Sequence, residues 1–254
     1  MKIIVLAAGE GSRLRPLTNE VPKCMVKVNG KSIIDYQLDC CKQLGLDDIV
    51  IVKGYLSEVL QRENVSFIVN ERYDETNMVY SLFCAEEHMD DDIIIVYGDI
   101  VFRPDILKKL VDASDPFAAT VDLDWFKFWS ARMEDPLADA ETLKLDDQGF
   151  IKELGKKPQS LKDIEGQYMG LIKMKKEILP DVKSFYHNLD KSQTYDGKSF
   201  DNMFMTSFLQ LLIDNGMPLK AVTINGGWIE VDEASDIPFF DEFVGAQYFN
   251  TSNS

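Results

Sequence analysis

The chain opens on an apolar run, Ile3-Ile4-Val5-Leu6, that empties into the small-residue turn Ala7-Ala8-Gly9-Glu10-Gly11. An unbroken run of this kind suits a strand buried on both faces, the condition of a parallel sheet covered by helices. The turn after it lets backbone N–H groups approach an anion closely, because Gly9 and Gly11 carry no side chain to block the way. Arg13 and Lys23 then add a forked donor and a point charge, the two chemistries suited to a polyphosphate. A turn that merely ended a strand would explain the glycines and leave the two cations without a purpose. The opening therefore predicts an α/β fold with a nucleotide-handling site.

The spacing excludes the better-known phosphate loops. Gly-x-Gly-x-x-Gly lacks its third glycine here, and Gly-x-x-x-x-Gly-Lys-Ser/Thr is absent. Further along, apolar runs alternate with helical patterns, as βαβ units require. Strands are predicted at 2–6, 49–53, 65–69, 93–97 and 118–121, with helices at 32–44, 76–88 and 104–113. In the latter half, strands at 142–145, 150–154, 167–173 and 220–224 and helices at 175–190 and 201–215 indicate a mixed-sheet region. The 254 residues, 45% of them hydrophobic, suffice for a full core.

Charge is distributed unevenly. Residues 1 to 31 hold six Lys/Arg against two Asp/Glu, so they carry +4 within a chain of net charge −16. A small polyanion suits the basic opening, whereas nucleic acid would require a basic face on the whole molecule. No apolar stretch is long enough for a membrane span and no signal peptide is recognisable. The four cysteines lack metal-site spacing and read as reduced thiols, which together point to a cytoplasmic protein without zinc.

Val96-Tyr97-Gly98-Asp99 places a carboxylate at the carboxyl end of an apolar strand, where ligand crevices form in open α/β sheets. A buried carboxylate is costly without a partner, and a cation is a natural one. The polar stretch from Asn70 to Ser81 supplies amides and hydroxyls, with Thr76 suited equally to contacting a nucleotide and to capping a helix. From Trp125 to Glu141 the chain combines aromatic rings, Arg132 and the carboxylates Glu134, Asp135, Asp139 and Glu141. Arginine can grip a phosphate or phosphonate bidentately while carboxylates and ring faces stabilise an ammonium group, so the segment suits a zwitterionic ligand. Core or subunit-contact packing explains the aromatic rings equally well. The aromatic end, 238–243, suits either a packed helix or a contact in a homo-oligomer.

Leu6 to Leu14 followed by Pro22-Lys23 resembles the signature of the nucleoside-triphosphate transferases, the nucleotidyltransferases with a Rossmann-like core. The segments 70–82 and 129–172 resemble the phosphocholine, 2-aminoethylphosphonate and phosphoglutamine cytidylyltransferases. This resemblance implies a GT-A-like α/β fold: a mixed, mainly parallel sheet flanked by helices, with a small acceptor-binding subdomain. One domain is then expected over 1–244, its nucleotide part ending near 120, with a frayed tail from 245 to 254.

The resemblance also implies roles. Lys23 and Arg13 would be catalytic, and Leu6, Ala7, Ala8, Gly9, Glu10, Gly11, Asn70, Thr76, Asn77, Ser81, Tyr97 and Gly98 would bind nucleotide. Arg132, Asp139, Glu141, Glu153, Lys157, Gln167 and Tyr168 would bind the acceptor. Mg²⁺ would sit on Asp99 and a second carboxylate from Trp228-Ile-Glu230-Val-Asp232. The phosphocholine enzymes point to Asp232 there, the first choice, and the sugar enzymes to Glu230, the second. The implied activity is CMP transfer from CTP to a small, amine-bearing phosphate or phosphonate acceptor. Two alternatives stay open: a sugar-1-phosphate nucleotidylyltransferase and an idle nucleotide-binding relative.

Overall fold

The structure, a computed structural model, describes residues 1–243. The expected tail at 245–254 and the domain boundary at 244 lie outside the described residues. A nine-stranded sheet runs in the spatial order Ser66–Val69, Ile49–Lys53, Lys2–Ala7, Ile93–Tyr97, Gln167–Met174, Phe117–Asp122, Leu219–Ile224, Phe150–Leu154 and Leu143–Leu145. The first four strands are mutually parallel. Gln167–Met174 runs against both of its neighbours, and Phe150–Leu154 against both of its own. The sheet is thus mixed and mainly parallel.

All six residues of Lys2–Ala7 are buried. Successive side chains of a strand point to opposite faces, so Ile3 and Val5 join one hydrophobic cluster while Ile4 and Leu6 join the other. Both faces are covered, as the continuous apolar run requires. Burying each Ile, Val or Leu of this kind stabilises the fold by about 1.5–3 kcal/mol. No helix among the described residues is long and apolar enough to cross a membrane. All four cysteines are free thiols.

Predicted and observed boundaries differ where a cap decides them. The helix expected from Thr76 starts at Met78, because Asn77 adopts an extended backbone and its side chain accepts from the Met78 N–H at 2.8 Å. It ends at Cys84, and a short 3₁₀ turn, Glu86–His88, follows. The expected helices at 175–190 and 201–215 likewise resolve into 3₁₀ turns preceding Leu179–Asn188 and Met205–Asp214. A helix, Trp125–Arg132, lies in the aromatic segment.

Two strand ends create the site. Leu6 pairs with Tyr97, so the turn after Lys2–Ala7 and the turn after Ile93–Tyr97 emerge side by side. Gly98 N–H donates to the Leu6 carbonyl at 2.9 Å. A Cβ at residue 98 would stand 2.6 Å from that carbonyl oxygen, so only glycine permits this approach. The chain then turns into Ile100–Phe102, which pairs antiparallel with Trp228–Glu230, Ile100 opposite Glu230. Val231 N–H continues the ladder to the Asp99 carbonyl at 3.0 Å. That small sheet carries the C-terminal acidic segment across to Asp99.

Gln37, buried on the helix Ile33–Gln43, secures the turn from below by donating to the carbonyls of Tyr97 and Ile100, both at 2.7 Å. Gln37→Leu keeps the volume and strands both acceptors, so it should destabilise the fold by about 2 kcal/mol, since an unsatisfied buried polar group costs ~1–3 kcal/mol. Urea unfolding measures this, and a variant as stable as the parent would show that the turn is held without Gln37.

Candidate active site

Three carboxylates meet where these turns converge. Asp99, Glu230 and Asp232 each bring an oxygen within 4.8 Å of the others. Asp99 and Asp232 are both 7% exposed. Lys23 Nζ lies between two of them, 2.8 Å from Asp99 Oδ2 and 2.8 Å from Asp232 Oδ1. Arg13 Nη2 reaches the same Asp232 oxygen at 3.1 Å. Lys23 is aimed here by the 3₁₀ turn Lys23–Met25, which starts directly after Pro22. Its stem crosses Gly11, whose φ is +65° and where a Cβ would stand 2.9 Å from Lys23 Cβ, leaving no room for a side chain.

Proximity sets the charge states. Burial works against a charged Lys23, but Asp99 and Asp232 outweigh it and raise its pKa. Burial pushes the Asp232 carboxyl up, and the Lys23 and Arg13 cations more than reverse this. Glu230 is driven well above the ordinary carboxylate range by burial and then by Asp232 and Asp99 beside it. Asp99 Oδ1 is buried without a hydrogen-bond partner among the described residues. The cluster thus holds more anionic capacity than its lysine consumes, and its oxygens are the hard donors that a Mg²⁺-like ion takes.

Two cavities flank this cluster. The first is bounded by Leu6 to Gly9, Lys23, Gly98 and Asp99 on one side and by Thr76, Asn77 and Ser81 on the other. Most of the expected nucleotide residues meet there. Tyr73, part of the 70–82 segment, also lines it, as do Cys24 and Met78, which were not singled out in the sequence as site residues. Asn70 stands behind this wall: it is 1% exposed, donates to Thr76 Oγ1 at 2.9 Å and Ser81 Oγ at 3.0 Å, and accepts from Arg72 N–H. It therefore orients the hydroxyls that face the cavity. Glu10 lies outside, pairing with Arg15.

The second cavity, about 330 Å³ and open to solvent, shares Asn77 and Met78 with the first. Arg13, Tyr97, Trp129, Asp139, Glu141, Gln167, Tyr168, Glu230 and Asp232 line it. Trp228, which opens the C-terminal acidic motif, also lines it, as do Phe204 and Thr206, which were not singled out in the sequence. Trp129 Nε1 donates to Asp139 Oδ2 at 3.2 Å, fixing that carboxylate. Gln167 holds the Glu141 backbone from both sides, accepting from its N–H at 3.1 Å and donating to its carbonyl at 2.6 Å. Glu141 is exposed toward the cavity, but the protein crowded around its carboxyl, followed by the charges of Asp139 and Asp196, pushes it up to about 7.

Three expected acceptor residues stand apart from this cavity. Arg132 has a side chain only 6% exposed and forms a bidentate pair with Asp236 at 3.0 and 2.7 Å. Glu153 pairs with Lys156 at 3.1 Å on the surface, and Lys157 is exposed in the loop beyond it. The aromatic segment divides its duties. Phe128 stacks on Phe240 with ring centres 5.9 Å apart, a core contact, whereas Trp129 is both packed and part of the cavity wall.

Residues 3–154 match the model of the MobA-like NTP transferase domain. The chain is 46% identical over 248 residues to the CTP:phosphoglutamine cytidylyltransferase of Campylobacter jejuni, covering 93% of this chain and 98% of that one. It is 38% identical over 107 residues to a choline-phosphate cytidylyltransferase of Streptococcus pneumoniae, 41% of this chain and 47% of that one. Among solved structures, the CTP:phosphocholine cytidylyltransferase from Streptococcus pneumoniae superposes with a TM-score of 0.70 at 22% identity, over 96% of this chain and 98% of that one. A putative glucose-1-phosphate thymidylyltransferase from Bacillus anthracis gives 0.72 at 18% identity, over 99% and 98%. At those identities the likeness shows a shared fold.

The Glu141 environment makes a pH-dependent prediction. Between pH 4.5, its ordinary value, and about 7, the folded state keeps a proton that the unfolded state has released, so stability falls as pH rises through that window. Glu141→Gln should therefore raise the urea midpoint above that of the parent at pH values over about 7, with the gain vanishing below 4.5. Equal midpoints across the range would contradict a carboxyl held neutral by its surroundings.

Proposed function

The chain belongs to the MobA-like NTP transferase family, and on that premise we propose that it transfers CMP from CTP to a small phosphate or phosphonate acceptor bearing an amine, releasing pyrophosphate. The observation that carries this reading is the position of Lys23 and the three carboxylates at the junction of two cavities, one walled by glycine-turn backbone and small polar groups, the other by Asp139, Glu141 and aromatic rings. The substrate named for the Campylobacter relative, phosphoglutamine, is an acceptor of this kind. Carboxylates and ring faces suit its ammonium group.

The chemistry asks little of the side chains beyond placement and charge. An acceptor oxygen, already ionised near neutral pH, attacks the α-phosphorus of CTP; the bond from that phosphorus to the oxygen of the β-phosphate breaks, and pyrophosphate departs with the electron pair. No general base is required. Lys23 stabilises charge developing on the α-phosphate. Gly9 and Gly11 offer backbone N–H groups to the remaining phosphates, and Arg13 adds its guanidinium. Thr76, Asn77 and Ser81 face the base and ribose. Asp99 and Asp232, with Glu230 beside them, would hold Mg²⁺, which when bound supplies neutralising charge to phosphate oxygens. Neither His88 nor His187 has a role here, and His187 pairs with Glu86 at the surface.

Lys23→Ala should lower turnover by about 10² or more, as loss of a comparable electrostatic donor does. Near-normal turnover would remove Lys23 from the reaction. Substrate class is tested by a pyrophosphate-release screen crossing CTP, UTP, dTTP and ATP with phosphocholine, 2-aminoethylphosphonate, phosphoglutamine and hexose-1-phosphates. The expected result is CTP with an amine-bearing acceptor; preferential reaction of hexose-1-phosphates with UTP or dTTP would replace this reading with a sugar nucleotidylyltransferase.

A further inference from the structure

Asp232 uses its two oxygens differently. Oδ1 faces the site and takes Lys23 and Arg13, while Oδ2 faces inward, 3.7 Å from Arg132 Nη2. Arg132 is otherwise committed to Asp236, and Asp236 Oδ2 in turn accepts from the backbone N–H groups of Asp232 at 3.3 Å and Glu233 at 2.9 Å. The guanidinium thus faces the Asp232 side chain at ion-pair distance and holds the Asp232 backbone through Asp236. Both partners are buried, with side chains 6% and 8% exposed. A planar fork with two fixed contacts resists rotation far better than a single ammonium contact would.

Arg132 also belongs to the last turn of the helix Trp125–Arg132, which carries Trp129 into the wall of the second cavity. One rigid element therefore touches the wall proposed to meet the acceptor and the carboxylate proposed to meet the metal. Resting on the metal assignment above, we propose that Arg132 and Asp236 form a buried positioning pair that holds Asp232 in its metal-binding orientation, with no contact to the acceptor by Arg132 itself. This replaces the expectation that Arg132 grips a phosphate. The metal ligand gains a fixed second partner, as ligating carboxylates generally need.

The test measures CTP binding by calorimetry at a series of Mn²⁺ concentrations and extracts the Mn²⁺ needed for half-maximal tightening. Arg132→Gln and Asp236→Asn should each raise that concentration about 10–100-fold, the usual effect of removing a partner of a metal ligand. CTP binding without metal should stay unchanged, and the double variant should be no worse than the poorer single one, because the two residues act as one unit. An unaltered Mn²⁺ requirement in folded variants, or losses that simply add, would overturn the proposal. Should Arg132→Gln fail to fold, Asp236→Asn, nearly equal in size, gives the answer alone. Parent protein whose CTP binding ignores Mn²⁺ would instead overturn the metal centre, and this pair's role with it.

Discussion

The structure around the site depends on one contact: the Lys23 ammonium held between Asp99 and Asp232. Three residues from distant parts of the chain are brought together there, and none of them could be buried alone. Removing one member of such a buried set leaves an uncompensated charge and typically costs about 3–5 kcal/mol. The surroundings are arranged to sustain it. Gly11 lets the lysine stem pass, Gly98 lets two strand ends touch, and the short pairing of Ile100–Phe102 with Trp228–Glu230 carries Asp232 to its partners. Packing supplies the stability, and the polar cluster uses part of it to keep charges near one another.

That arrangement gives a consistent electrostatic picture of a molecule with net charge −16 that is proposed to bind polyanions. Positive charge is concentrated at Arg13 and Lys23, directly beside the glycine turn. On the far side of the junction the carboxyl groups of Asp139 and Glu141 face the second cavity and suit a ligand that is anionic at one end and cationic at the other, whose ammonium would favour the ionised form of Glu141. A neutral sugar would offer those carboxyl groups hydroxyl donors but no opposite charge. The two cavities share Asn77 and Met78 as a common wall, which is the geometry needed for a group passed directly between two ligands.

Much of this was legible in the sequence, for local reasons. Ile49–Lys53, Ile93–Tyr97 and Phe150–Leu154 form as read, because apolar runs bounded by turns leave little choice. The glycine turn, Lys23, Asp99 and the alternative pair Glu230 and Asp232 could be named because the residue types themselves limit the chemistry. What the sequence could not show was pairing at a distance. Three-residue strands such as Ile100–Phe102 carry too few alternations to be read, and their partner lies far along the chain. Arg132 looked like a phosphate ligand because nothing local reveals that Asp236 lies against it. Asn70 looked like a nucleotide contact, while its burial behind Thr76 and Ser81 makes it their support. Phe204 and Thr206 enter the second cavity only through the placement of a helix start, a tertiary fact.

The central claim is that the opening turn, with Lys23, embraces a triphosphate beside a cation on Asp99 and Asp232. A crystal structure with CTP and Mg²⁺ tests it most directly. The account predicts phosphate density along Ala8 to Gly11, metal density between the two aspartates, and Lys23 Nζ withdrawn from at least one of them to contact phosphate. CTP bound elsewhere, or bound here with Lys23 still bridging both carboxylates and no metal between them, would contradict it.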